Sequence, residues 1–380
     1  MMSLNLSTKT TMKAFFLLMI LAFTSYSSTN VLSFDLDELE ENTITNTLLD
    51  FNATKSFDYI STQLDFGFRV PGTVDHENCG FWIGNQLSLS VDEVIRHNFT
   101  IQKESQPLYN CQNILGKLNT EKKNIVILAS HWDSRNVAEK DYVNQTLPIP
   151  GANDGASGVG VLLELSRVLN LYKETLDCEI WFLFLDAEDQ GSSLGIYGLE
   201  GWNWAEGASE FAENIHEFYN NNERIECFIL LDMVGGFDLQ FIKEGRTNDE
   251  LHNAIFDAGR DLGYNTAYPQ SPKKMLITDD HVPFYELGIP VIDLIIDFVS
   301  GNWTYHHTHL DNLENIDPES LKITGETIES FIKTYYTEGD NLGWNNDILP
   351  SNLTIVIISV SVVTLVFIIN FLLRRRKRRR

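Results

Sequence analysis

Residues 178–191 read CEIWFLFLDAEDQG. Eight residues that are almost wholly apolar run straight into three acids within four positions. A short, continuous apolar run of this kind is what a strand buried on both faces is expected to show, as in a parallel sheet covered by helices. Three further runs share the pattern: NIVILA (124–129), ECFILL (226–231) and PVIDLII (290–296). Between them lie stretches with helical periodicity, 158–169, 208–220, 249–262 and 281–287, and an amphipathic helix is expected over 318–338. Upstream, helices are expected over 58–66 and 74–87 and strands over 93–102 and 113–118. Alternating strands and helices predict an α/β domain with a mainly parallel, mixed central sheet flanked by helices, covering residues 35–340.

In an open α/β sheet, ligands bind beyond the carboxyl ends of the strands. After NIVILA come Ser130, His131, Trp132 and Asp133; after CEIWFLFL come Asp186, Glu188 and Asp189. After ECFILL comes Asp232, and after PVIDLII come Asp297 and then His306 and His307. Asp154, in GANDGASG (151–158), precedes a helix and would serve as its N-cap if it stood alone. Several carboxylates and imidazoles converging on one rim repel one another unless a cation joins them. Carboxylate and imidazole donors suit zinc.

These motifs are arranged in a known order. The blocks HWDSR (131–135), GANDGASG, LDAEDQG (185–191), LLDMVGG (230–236), DDHVPF (279–284) and HHTHLDNLENI (306–316) resemble the M28 zinc aminopeptidases and, more closely, the glutaminyl cyclases of the same clan. The resemblance spans residues 66–320. It implies that Asp154, Asp189 and His307 ligate zinc and that Glu188 is the general acid and base. In a two-zinc aminopeptidase, His131 and Asp232 would complete a second site, with Asp154 bridging. In a one-zinc cyclase, Asp232 and Asp280 would instead form a hydrogen-bond network around Glu188. Many relatives have Glu where this chain has Asp189, which is a methylene shorter and still a zinc ligand.

Both reactions attack a carbonyl that zinc polarises. Three features resemble the cyclases: the long stretch after Asp189 with Trp202 and Trp204, the sequence DDHVPFYELGIPVIDLI, and FRVPGT (68–73). The two tryptophans either wall a substrate pocket or pack a loop. Cyclases often have Trp before the histidine ligand, where this chain has His306, a substrate-contact candidate. The expected activity is conversion of amino-terminal glutamine to pyroglutamate with release of ammonia. The alternatives are an M28 aminopeptidase and a non-catalytic M28-like ectodomain.

The flanks differ from the middle. Lys9 and Lys13 precede the apolar run 14–23, too short to span a bilayer and placed as in a signal peptide over 1–29. Residues 353–373 are uncharged and long enough to cross a membrane, and 374–380 are all Arg or Lys. This predicts a juxtamembrane linker (341–352), a transmembrane helix (353–373) and a basic cytoplasmic tail (374–380), with the catalytic domain outside. The chain carries a net charge of −25, although seven of its 28 basic residues sit in that tail. So acidic an exterior disfavours nucleic acid, and the resemblance implies peptide amino termini as the partner. Export would permit disulfides among Cys79, Cys111, Cys178 and Cys227, whose three pairings the sequence leaves open. It would also permit glycans at Asn52, Asn98, Asn144, Asn302 and Asn352, each of which opens an Asn-x-Ser/Thr pattern.

Overall fold

The computed structural model describes residues 49–103, 106–192, 197–299 and 303–337. The expected signal peptide, linker, transmembrane helix and tail lie outside them. No helix among the described residues is long and apolar enough to cross a membrane.

Six strands form the central sheet: β1 (Glu93–Ile101), β2 (Tyr109–Leu118), β3 (Asn124–His131), β4 (Glu179–Leu185), β5 (Arg224–Asp232) and β8 (Val291–Ile295), in the order β1-β2-β4-β3-β5-β8. From β4 to β8 the pairing is parallel, while β1–β2 and β2–β4 are antiparallel. The sheet is therefore mixed, with a parallel heart. A two-stranded ladder, β6 (Lys243–Glu244) with β7 (Lys274–Met275), lies apart from it.

The apolar runs divide their side chains between two cores. Val126 and Leu128, Ile180, Phe182 and Phe184, and Ile229 and Leu231 enter the larger core. Ile127 and Ala129, Trp181, Leu183 and Leu185, and Phe228 and Leu230 enter the smaller one on the opposite face. A strand in this position has no solvent side, which is why the sequence shows runs and not alternation. The larger core is covered by α1 (Ala53–Asp65), α2 (Val74–Leu87), α3 (Ala156–Leu171), α5 (Asp249–Asp261) and α7 (Pro318–Tyr335). The smaller is covered by α4 (Glu206–Asn214) and α6 (His281–Glu286). Helix α3 lies so close to the sheet that a Cβ on Gly158 would fall 2.2 Å from the Leu231 carbonyl oxygen.

Every expected helix and strand is present, with ends moved by a few residues. The helix expected over 208–220 stops at Asn214 and tightens into a 3₁₀ turn, Ile215–Glu217. All four cysteines are buried thiols. Burial, and then Cys227, pushes the Cys178 thiol well up.

Candidate metal centre and active site

Strands β3, β4 and β5 bring their carboxyl ends together, and β3 is where the strand order reverses direction, a place where α/β sheets open a crevice. His131 is the last residue of β3 and Asp232 the last of β5. Between them stands Asp154. His131 Nε2 lies 3.1 Å from Asp154 Oδ1 and 3.3 Å from Asp232 Oδ1. The other carboxylate oxygen of Asp154 lies 3.8 Å from His307 Nε2, which is 3.2 Å from Asp189 Oδ1. Asp154 thus belongs to two donor clusters at once. All five side chains are buried.

The local backbone explains how such groups are held. Asp154 does not cap α3 with its side chain; Gly155 is the N-cap residue, at φ +88°. Asp154 is fixed from behind by Asp311, which accepts the backbone N–H groups of Asn153 (2.7 Å) and Asp154 (3.1 Å). After β4 the chain turns through Ala187 at φ +59°, where a residue with a Cβ is strained. Asp133 then accepts the N–H groups of Glu188 (3.0 Å) and Asp189 (3.2 Å) and the Gln190 side-chain amide (2.9 Å). This turn lets adjacent acids face different ways. Met233, after Asp232, and His307 itself also sit at positive φ, 49° and 60°. Such strain concentrates at functional sites.

Arg69, in FRVPGT, is buried. Its guanidinium donates to the carbonyls of Trp132 (2.9 Å), Pro150 (2.8 Å) and Gly151 (2.7 Å). That segment therefore braces the loops carrying His131 and Asp154 and adds no wall to the cavity.

The site opens into a cavity of about 470 Å³ whose lining includes Glu188, Asp189, Asp154, Asp232, Trp204, His306 and His307. Trp204 lies nearly parallel to the His307 ring (15°, 5.9 Å between centroids), and the Arg135 guanidinium covers the indole at 4.7 Å. Trp202 is different. It is absent from the lining and packs with Phe99, Ile101, Cys111 and Ala187, supporting the strained turn from behind. Asp280 is likewise buried and off the lining; its neighbour Asp279 faces the cavity. The reason is local: Asp280 is the N-cap residue of α6 and is already helical, so the side chain one position earlier faces out.

Burial, with Asp279 next in weight, holds the Glu188 carboxyl well above the usual carboxylate range. Burial and then Asp232 push Asp279 up to about 7. Burial lowers His131, but Asp133, Asp154 and Asp232 more than offset it and hold the imidazole well up. Burial, with His307 beside it, holds His306 well below the imidazole range.

One oxygen on each of Asp154, Asp189 and Asp232 is buried without a hydrogen-bond partner. Unpaired buried carboxylate oxygens are costly, and these converge with imidazole nitrogens. A divalent cation would satisfy those of Asp154 and Asp232 beside His131, a donor set that fits zinc, while Asp189 joins the other cluster through His307. His131, Asp154 and Asp232 form one group able to hold an ion; Asp154 forms another with His306 and His307. His307 donates its Nδ1 hydrogen to the Glu139 carboxylate at 2.7 Å, an outer-sphere pairing usual for histidine metal ligands.

The model of peptidase family M28 matches residues 113–332, more than half of the chain. The chain belongs to peptidase family M28. Within it, the chain is 27% identical over 259 residues to the glutaminyl-peptide cyclotransferase of Boiga irregularis, covering 60% of this chain and 66%, just under two thirds, of that relative. An aminopeptidase of Bacillus subtilis is 28% identical, over 58% of this chain and 44% of the relative. Among solved structures, the glutaminyl cyclase of Tannerella forsythia superposes with a TM-score of 0.68 at 35% identity, covering 74% of this chain and 98% of that one. A zinc-dependent exopeptidase of Parabacteroides distasonis gives 0.68 at 34%, over 74% and 98%. The relatives of this M28 chain are enzymes of both kinds, and it carries the donor set of an enzyme.

Sequence reading missed several residues that hold this M28 site together. Asp133 and Arg135 lay inside the HWDSR block and Asp311 inside HHTHLDNLENI, so a signal was present. Glu139 and Lys140 lie in a polar stretch with no pattern of their own.

Proposed function

We propose that this M28 enzyme is a zinc-dependent glutaminyl-peptide cyclotransferase acting on peptide amino termini. Asp154, Asp189 and His307 would hold the metal, which when bound would polarise the side-chain carbonyl of the amino-terminal glutamine. The free α-amine of the glutamine forms a bond to its own amide carbon, and the amide nitrogen leaves as ammonia. Glu188 takes the proton from the amine and delivers it to the departing nitrogen. No water is consumed. Trp204 supplies a flat apolar face beside His307, suited to a small, uncharged side chain.

The observation that carries this reading is that Glu188, Asp279 and Trp204 line one cavity, where burial raises both carboxyl groups. Carboxyl groups held above their usual range by burial and by one another suit a site that passes a proton from one nitrogen to another. The second reading, an aminopeptidase, is favoured by His131 lying 3.1 Å from Asp154 and 3.3 Å from Asp232, which completes a second donor cluster. We further propose that the enzyme is held on the outer face of a membrane. The uncharged run 353–373 and the basic block after it support this.

The test is incubation of the zinc-supplied protein with one peptide beginning in glutamine and one beginning in leucine, followed by mass spectrometry. Loss of ammonia from the glutamine peptide alone supports the cyclase. Loss of a whole terminal residue from either peptide overturns it in favour of the aminopeptidase.

A further inference from the structure

Residues Glu139, Lys140 and Asp141 lie along the loop that carries the histidines, and each meets a different one. Glu139 Oε1 lies 2.7 Å from His307 Nδ1. Asp141 accepts the His309 backbone N–H at 2.9 Å and meets His309 Nδ1 at 2.7 Å. The ammonium of Lys140 donates to His306 Nδ1 and lies over the Phe298 ring at 5.9 Å. The Lys140 backbone N–H donates to the His307 carbonyl at 3.3 Å, which keeps the two segments in register.

The chemistry of these partners is opposite. A carboxylate only accepts, so Glu139 takes the N–H at Nδ1 of His307, and Nε2, which faces Asp189 at 3.2 Å, is the nitrogen left to turn a lone pair to a bound metal. An ammonium only donates, so Lys140 requires the lone pair at Nδ1 of His306 and leaves the hydrogen on Nε2. Both Nε2 atoms lie 3.8 Å from the same oxygen, Asp154 Oδ2, and both rings line the cavity. Position alone therefore does not tell a metal ligand from a hydrogen-bond donor.

We propose that Glu139 and Lys140 assign opposite tautomers to the adjacent histidines, making His307 the metal ligand and His306 an N–H donor to the substrate carbonyl oxygen. Lys140 is then a positioning residue that acts through His306. It keeps that imidazole from competing for the metal and aims a hydrogen into the site where negative charge develops on oxygen. The inference rests on the site being a zinc site that acts on a carbonyl, which both readings of the function share.

The test uses the full chain and reads zinc affinity, by competition with a chelator and without substrate, alongside kcat/KM. Lys140→Glu replaces the donor with an acceptor and so reverses the tautomer of His306. It is expected to bind zinc about three- to tenfold more tightly, as His306 joins the ligand set, while kcat/KM falls roughly 10- to 100-fold. Glu139→Gln is expected to lose roughly 10- to 100-fold in zinc affinity. Tryptophan has an N–H and no acceptor, so in a His306→Trp background Lys140→Glu should cost less than about threefold further. If Lys140→Glu does not fold, Lys140→Met, which only removes the donor, is expected to shift both readouts in the same directions by less. Zinc affinity unchanged or weakened in the Lys140 variants would overturn the proposal. So would an equal loss of activity in the His306→Trp background, which would leave Lys140 a mere loop support. Because zinc affinity is read without substrate, these results stand apart from the choice between cyclase and peptidase.

Discussion

Replacing Asp133 with Asn should disable the site while leaving its size unchanged. Oδ1 of Asp133 faces the Glu188 N–H at 3.0 Å and His131 Nδ1 at 3.4 Å, and Oδ2 faces the Asp189 N–H at 3.2 Å and the Gln190 amide at 2.9 Å. Both oxygens thus serve donors of the acid pair, and the residue is fully buried. Asparagine has a single oxygen. Whichever way it is turned, its NH₂ confronts a backbone N–H with no acceptor left for it. A charge-assisted hydrogen bond contributes about 1.5–3 kcal/mol, and an orphaned buried donor costs about 1–3 kcal/mol. These overlap, so a net of about 3 kcal/mol is expected, or roughly 100- to 300-fold in rate if it appears as misplacement of Glu188 and Asp189. The assay is kcat/KM on a glutamine peptide, with zinc affinity and the thermal midpoint measured on the same protein. Activity should fall far more than folding does, and zinc should bind more weakly. A variant with kcat/KM within threefold of wild type and unaltered zinc affinity would refute the idea that Asp133 positions the acid pair.

Three other substitutions test neighbouring parts of the argument. Gly155→Ala places a Cβ 2.8 Å from both the Asp133 carbonyl and the His131 ring at φ +88°, so the unfolding free energy should drop by about 2 kcal/mol or more in urea titration. Trp204→Ala removes the face that covers His307 and the seat of the Arg135 guanidinium; KM should rise about tenfold with a smaller change in kcat, as steady-state kinetics will report. His252, buried against Phe256, is lowered from 6.5 to about 4, first by burial and then by Lys243. The folded state therefore favours its neutral form, and the stability it protects is present above pH 6.5 and lost as pH falls toward about 4, by up to roughly 3 kcal/mol. Unfolding curves of His252→Gln across that window should lack this share of the acid loss.

The sheet was legible because its inner strands have no wet face. Runs such as NIVILA and CEIWFLFL have the length and the β-branched and aromatic content of strands buried twice, and the residues after them fall on one rim by topology. His131, Glu188, Asp189 and Asp232 were legible for that reason, Asp154 and His307 through the order of the motif blocks, and the structure brings His131, Asp154, Asp189, Asp232 and His307 within a few ångströms of one another. The choice between near neighbours was not legible. Trp202 and Trp204 are two residues apart in a loop without periodicity, and nothing in the sequence marks which one faces the cavity. Asp279 and Asp280 are separated by the first turn of α6 in the same way. Asp133 and Asp311 act through backbone N–H groups, and no residue pattern records which amides need an acceptor. Glu139 and Lys140 reach the histidines across 166 to 168 positions of chain, a contact that only folding creates.

Zinc content, measured on the purified full chain after exhaustive dialysis, tests the central claim most directly, with Asp154→Asn and His307→Gln alongside. The cyclase account predicts about one tightly held zinc per wild-type chain and its loss in both variants, with pyroglutamate formation lost in step. A wild-type chain that takes up no zinc, or variants that keep their zinc and their activity, would contradict it.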